Sequence, residues 1–164
     1  MPKLWHVIQE TGQITVTILF LIISASTFSR MLTLSGLPAD MGNLINSLGL
    51  GMAGFLFCYL LLLVILGTVL DSTSILLIIL PLVLPIVIEL GGNLIWFGII
   101  TVIGVEIGLM TPPLGLSVYV IKSSLEKEKI SLGEIFIGAA PFALITLFVT
   151  IILMAFPEIS LAIL

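Results

Sequence analysis

Charge is what this sequence has least of. Only 9% of its 164 residues are Asp, Glu, Lys or Arg, while 60% are hydrophobic and the mean hydropathy is +1.40. A soluble domain of this length cannot solvate its surface with so few charges, so the chain reads as an integral helical membrane protein. Five basic residues form no run and no aromatic-interleaved stripe, which excludes a nucleic-acid face and leaves the lipid bilayer as the expected surroundings. Cysteine is nearly absent too. Cys58 stands alone in an apolar stretch, so no disulfide framework exists within the chain, and the residue reads as a small lipid- or core-facing side chain. The single histidine, His6, lies at the N-terminus, where it can complete neither a Ser-His pair nor a histidine metal site in the membrane. No Gly-x-x-x-x-Gly-Lys-Ser/Thr loop occurs. A Ser-Lys dyad at Lys122 with Ser123 or Ser124 would sit in a connector with nothing to exclude water. The inventory for an enzyme, or for a bound organic cofactor, is missing.

What the chain does have is long apolar runs. Residues 1–6 carry Lys3, but Gln9, Glu10, Thr11 and Gln13 interrupt the flank and no small-residue cleavage site follows, so the first run is expected to be a retained span over residues 13–33 rather than a signal peptide. Residues 36–48 are more polar. Pro38 at a first turn, with Leu37, Met41, Leu44, Ile45 and Leu48 recurring, predicts a short amphipathic helix in the interface plane. Residues 49–90 read as a helical hairpin with its tip at 67–74. Its second arm, Ile75 to Ile88, holds Pro81 and Pro85 and reaches only about 21 Å at 1.5 Å per residue. Two ordinary crossings with a tight polar loop are the alternative. Residues 94–121 form a span interrupted by proline, 122–134 a hydrophilic connector with the charge run Glu126 to Lys129, and 137–157 a last span opened by Pro141. Lys3, Lys122, Lys127 and Lys129 then share one face and Arg30 the other, which puts the N-terminus and the connector in the cytoplasm.

Two polar interruptions could carry chemistry. In Gly108-Leu-Met-Thr-Pro-Pro-Leu-Gly115, Pro112 and Pro113 remove two backbone donors, and the freed carbonyls of residues 108–111, with the Thr111 hydroxyl, are candidate cation ligands. The plainer reading is a proline kink that only shapes a helix. In Gly67-Thr-Val-Leu-Asp-Ser-Thr-Ser74, the side chains of Asp71, Ser72, Thr73 and Ser74 offer hard oxygens suited to sodium or a polar substrate. The plainer reading there is an N-cap opening the next helix. Glu106, the other acidic residue well inside an apolar run, could bind a cation, relay a proton or, the reading favoured here, hydrogen-bond the unwound backbone. A hairpin tip and a broken helix are the parts from which transporter sites near the midplane are built, usually in two inverted copies. One copy of each is present here, so the chain looks like half of such a fold.

The Gly-x-x-Thr-Pro-Pro-x-Gly element, with the upstream Gly67 to Asp71 tip, Pro81, Pro85, Trp96-Phe-Gly98, Ala25 to Ser29, Pro141-Phe142 and Phe156-Pro157, resembles the large membrane subunit of tripartite ATP-independent periplasmic (TRAP) transporters, from about Trp5 onward. The resemblance implies the C-terminal part of an all-α ion-transporter fold in a bacterial or archaeal inner membrane. It implies import of an organic acid, a C4-dicarboxylate or similar carboxylate, with a sodium ion as coupling ion and an elevator-like movement. The partners it implies are a small membrane subunit, a periplasmic binding protein and the earlier half of the large subunit. Carried over by position, Gly67, Asp71, Ser72, Thr73 and Ser74 would form the tip of the second hairpin. Gly108, Thr111, Pro112, Pro113 and Gly115 would form the unwound helix facing it, with Glu106 in support and sodium held by Gly108, Thr111 and Asp71. A non-transporting accessory module or a channel-like unit remains the other reading of the same residues.

Overall fold

Apolar runs placed in a solvent that offers no hydrogen bonds must satisfy their backbone internally, and helices do so within one segment. The computed structural model describes residues 2–125 and 130–162, and those residues form eight helices and no strand. They are α1 (Pro2–Leu34), α2 (Leu37–Ser47), α3 (Gly51–Gly67), α4 (Ser72–Glu89), α5 (Leu94–Leu109), α6 (Leu116–Ser124), α7 (Leu132–Ala155) and α8 (Pro157–Leu161). Three of them, α1, α4 and α7, are long and apolar enough to cross a bilayer unaided, and α2 meets α3 at a bend of 109°. The chain is a multi-pass all-α membrane protein.

Several boundaries differ from those expected. Helix α1 starts at Pro2 rather than near residue 13, because the polar side chains of its first turns need only hydration, not a break; His6 and Glu10 pair one turn apart at 3.7 Å. The second hairpin arm has 18 residues, not about 14, so it reaches about 27 Å. Its start is fixed by Asp71 as N-cap, and Pro81 and Pro85 sit inside it without ending it. Shortness therefore no longer argues for a hairpin. Pro141 does not open the last span either. That helix begins nine residues earlier, at Leu132, behind a capping box in which Ser131 accepts from the Glu134 N–H and the Glu134 carboxylate accepts from Ser131. Residues 122–124 belong to α6 and 132–134 to α7; the charge run at 126–129 lies outside the described residues.

Topology follows from which ends meet. A side chain at Gly92 would run into Met52 and Val87, so the start of α3 and the end of α4 lie together and the pair returns on itself. Helix α5 then runs parallel to α3: Tyr59 stacks on Phe97 at 4.9 Å and shares a 3.2 Å hydrogen bond with Thr101, and Leu60 and Leu63 cover Gly104. Helix α7 runs back along this traverse. Its Leu153 carbonyl accepts from Trp96 Nε1 at 2.7 Å, Phe136 stands against Gly115, and the Ile130 carbonyl, just before the helix, accepts from Lys122. The order 153, 136, 130 against 96, 115, 122 makes α5 and α6 one interrupted crossing. The core is the meeting of α3, α4 and α5, with Leu63, Ile75, Val87, Phe97 and Ile100 fully buried. The Trp96 bond is a part-buried polar tie between α5 and α7, and Trp96→Phe keeps an aromatic ring, smaller than the indole, while removing the donor. This variant is expected to lose about 1 kcal/mol, read as a fall in thermal unfolding midpoint of a few degrees in detergent.

Candidate functional site

The site begins where two helices lose their side chains. An ideal Cβ on Gly67 would stand 2.8 Å from Gly108 Cα, and one on Gly108 would stand 2.7 Å from Gly67 Cα and 2.8 Å from the Val64 carbonyl oxygen. Backbone touches backbone, so both residues must lack a Cβ. The spacing Gly104-Val-Glu-Ile-Gly108 puts two glycines on the same face of α5, which is the small-x-x-x-small pattern that lets membrane helices approach closely. That signal was available in the sequence and Gly104 was overlooked.

Just beyond this crossing, each helix stops. Helix α3 ends at Gly67, with Thr68 as its cap; the Thr68 hydroxyl donates to the Ile65 carbonyl at 2.8 Å. The turn is short, residues 68–71, and Asp71 starts α4 by accepting from Ser74 N–H at 3.0 Å and from the Ser74 hydroxyl. The capping reading of Asp71 is thus what its carboxylate does in this structure. Asp71 and Thr73 are exposed, and Ser72 and Ser74 half-buried. Helix α5 ends at Leu109, so Gly108 lies in its last turn and not in the break, and its carbonyl already accepts from Thr111 N–H at 2.9 Å. The unwound stretch is residues 110–115. Pro112 and Pro113 cannot donate, and among the described residues no donor reaches the carbonyls of Leu109, Met110 or Thr111. The Pro112–Pro113 bond is cis. The Thr111 hydroxyl donates to Ile107 at 2.6 Å, leaving its lone pairs free to accept.

Tip and break are tied together. Gly115 N–H donates to the Thr68 carbonyl at 3.2 Å, so the last residue of the break is bonded to the first residue of the hairpin turn. Thr68 was not singled out from the sequence; nothing in its spacing marks a carbonyl that will serve another helix. Gly115 takes φ +53, and its Cα faces the Phe136 ring. Glu106 is elsewhere. It faces an opening of about 440 Å³ between α5, α6 and α7, shared with Met110, Ser117 and Glu134, and among the described residues it makes no hydrogen bond to the unwound backbone. The supporting bond expected of Glu106 is therefore corrected: its place on α5, two residues before Gly108, turns it away from the α3 crossing.

The arrangement offers unbonded carbonyls, a threonine oxygen and a capped helix start at one level of an apolar bundle. A family model for the tripartite ATP-independent periplasmic transporter, DctM component, matches residues 1–159. The chain belongs to that family. A relative from Pseudomonas aeruginosa, named a C4-dicarboxylate TRAP transporter large permease protein, is 35% identical over 156 residues, covering 95% of this chain and 36% of the relative. The 2,3-diketo-L-gulonate TRAP transporter large permease protein of Escherichia coli is 28% identical, and the sialic acid TRAP transporter large permease protein of Vibrio cholerae 26%, each with 95% of this chain and 36% of the relative covered. The chain spans about a third of the length of these TRAP permeases. They are named as permease subunits and not as enzymes.

Proposed function

We propose that this chain supplies the tip-and-break half of the ion and substrate site of a TRAP large permease. The observation that carries this reading is the pair of links between the interruptions, the Gly67–Gly108 contact and the Gly115 N–H to Thr68 carbonyl bond. The coupling ion is sodium, held by backbone oxygens of the break and by the Thr111 hydroxyl, with the Asp71 cap beside it; carbonyl and hydroxyl oxygens suit a hard monovalent cation. The substrate is an organic acid, as the relatives' names share an organic anion, and its carboxylate would meet the free N–H groups at the start of α4. A C4-dicarboxylate is the first choice, since the Pseudomonas relative bears that name. The hairpin is re-entrant: its tip lies level with residue 115, while α6 carries the traverse a further 9 residues, about 13 Å. Since the tip and break are joined backbone to backbone, they move as one body in an elevator-like cycle. The remainder of the large permease, a small membrane subunit and a periplasmic binding protein complete the machine, with the N-terminus and the connector at 122–134 in the cytoplasm.

Reconstitution with those partners tests the reading through sodium-dependent uptake of C4-dicarboxylates. Thr111→Ala is expected to raise the sodium concentration for half-maximal uptake about tenfold, equivalent to one lost ligand of about 1.4 kcal/mol. Asp71→Asn keeps the cap, because asparagine caps as well as aspartate, and removes the charge; Asp71→Ala removes both. Wild-type uptake in Asp71→Asn but not in Asp71→Ala would reduce Asp71 to a cap. Unchanged uptake and sodium dependence in Thr111→Ala and both Asp71 variants would overturn the site.

A further inference from the structure

We infer that the Tyr59 hydroxyl is the register pin of the site: it fixes how far α3 is advanced along α5, and so holds the tip level with the break. The inference rests on the proposed half-site. The glycines cannot fix this register themselves. Gly104 and Gly108 lie one turn apart on the same face of α5, so Gly67 would meet a second glycine if α3 slipped one turn, about 5.4 Å, toward the start of α5. The apolar side chains between the helices resist such a slip weakly, because each neighbour lost is replaced by another equally apolar one. One polar pair does discriminate. Tyr59 carries the only side-chain hydroxyl of α3 and Thr101 the only one of α5. The two meet at 3.2 Å, with the residues 3% and 1% exposed. The Thr101 proton already goes to the Phe97 carbonyl at 2.8 Å, so Tyr59 is the donor of the pair. After a one-turn slip that donor would stand at the level of Phe97 and Gly98, where α5 has no side-chain acceptor. A buried donor left without a partner costs more than the bond itself contributes. From this pair α3 runs eight residues to Gly67 and α5 seven to Gly108, just before the Gly115 N–H meets the Thr68 carbonyl at 3.2 Å. A one-turn slip would part that bond. Tyr59 is therefore a positioning residue, acting on the ion site through α3 from about 12 Å away.

Disulfide trapping reads the register. In a Cys58→Ser background, Leu63→Cys with Gly104→Cys brings two Cβ atoms to 3.6 Å, inside the range of about 3.5–4.5 Å that a disulfide accepts. Leu63→Cys with Ile100→Cys is the pair that the slipped register favours. Membranes from cells expressing the chain are oxidised, and free thiols are counted by the gel shift of a maleimide-linked polymer. With Tyr59 in place the first pair should close and the second stay open. Tyr59→Phe keeps the ring that stacks on Phe97 and removes the donor. It should lower closure of the first pair about fivefold, the scale of one neutral hydrogen bond, and raise closure of the second. Thr101→Val, which removes the acceptor, should do the same, and Thr101→Ser, which keeps it, should behave as the parent. Each variant is read against its own cysteine background, so the cost of the cysteines cancels. Unchanged closure of the first pair in Tyr59→Phe and Thr101→Val would overturn the pin. So would a first pair that weakens while the second stays open, because that marks helices loosened rather than shifted. Sodium-dependent uptake by the reassembled transporter is scored separately. Tyr59→Phe should raise the sodium concentration for half-maximal uptake, and closing the disulfide between positions 63 and 104 should restore it. A shifted register with unchanged sodium dependence keeps the pin and sinks the proposed ion site.

Discussion

Gly108→Val is expected to separate α3 from α5 and to abolish uptake by the reassembled transporter. The reason is the nature of the obstacle. A Cβ there would meet Gly67 Cα at 2.7 Å and the Val64 carbonyl at 2.8 Å, both backbone atoms that no rotamer can move aside. Overpacked cores ordinarily lose 1–3 kcal/mol by rearranging side chains, so the cost here lies at or above about 3 kcal/mol. For a domain of this size that corresponds to a fall in unfolding midpoint of roughly 6–12 °C. Gly98→Ala is the matched comparison on the same helix. Nothing lies within 4 Å of a Cβ at Gly98, so it should be neutral or gain up to about 1 kcal/mol from helix propensity. Equal midpoints for Gly108→Val and Gly98→Ala, measured by scanning fluorimetry in detergent, would refute the close crossing.

Gly115→Ala is the second large effect, with a different anatomy. Two costs add. The residue holds φ +53, which costs a side chain about 1–2 kcal/mol, and its Cβ would stand 2.7 Å from Phe136 Cε1. The ring can be removed and the backbone angle cannot. Gly115→Ala is therefore expected to undock the break from the tip, lowering uptake about 5- to 30-fold for 1–2 kcal/mol, and Phe136→Ala should restore only part of it. Full restoration in the double variant would show that the left-handed conformation carries no cost, and so that the Gly115 N–H to Thr68 bond is not what holds the two interruptions together. Cysteine cross-linking between the turn at 68–71 and the break at 110–115 would report the docking directly.

The readable parts of this protein were those set by local chemistry. Leu, Ile and Val runs without charge can only be helices in lipid, and two adjacent prolines must stop α5 whatever surrounds them, so a break within residues 108–115 was legible, though its start lies at residue 110 and not at Gly108. Asp71 followed by Ser-Thr-Ser was legible as a helix start. The boundaries that went astray did so where local rules compete. Pro81, Pro85 and Pro141 are breakers by propensity, yet each lies inside a helix, because membrane helices keep their remaining hydrogen bonds when no water is there to replace them. Glu106 was assigned by its nearness in sequence to Gly108, but neighbours two apart on a helix point to different sides.

The sequence by itself determined that this is a membrane protein, that it is all-helical, and that it is interrupted at two polar points, since each of these follows from hydropathy, missing charge and missing backbone donors over a few turns. Only the tertiary structure decided that the two interruptions meet. Gly67 and Gly108 are 41 positions apart, and Thr68 and Gly115 are 47 apart. Their contact depends on α3 and α5 running parallel, which in turn depends on α4 bringing the chain back to Met52. No local pattern encodes that return. It is set by how three apolar helices bury Leu63, Ile75 and Phe97 between them, a packing choice made among faces that look alike in sequence because lipid and protein interiors are equally apolar.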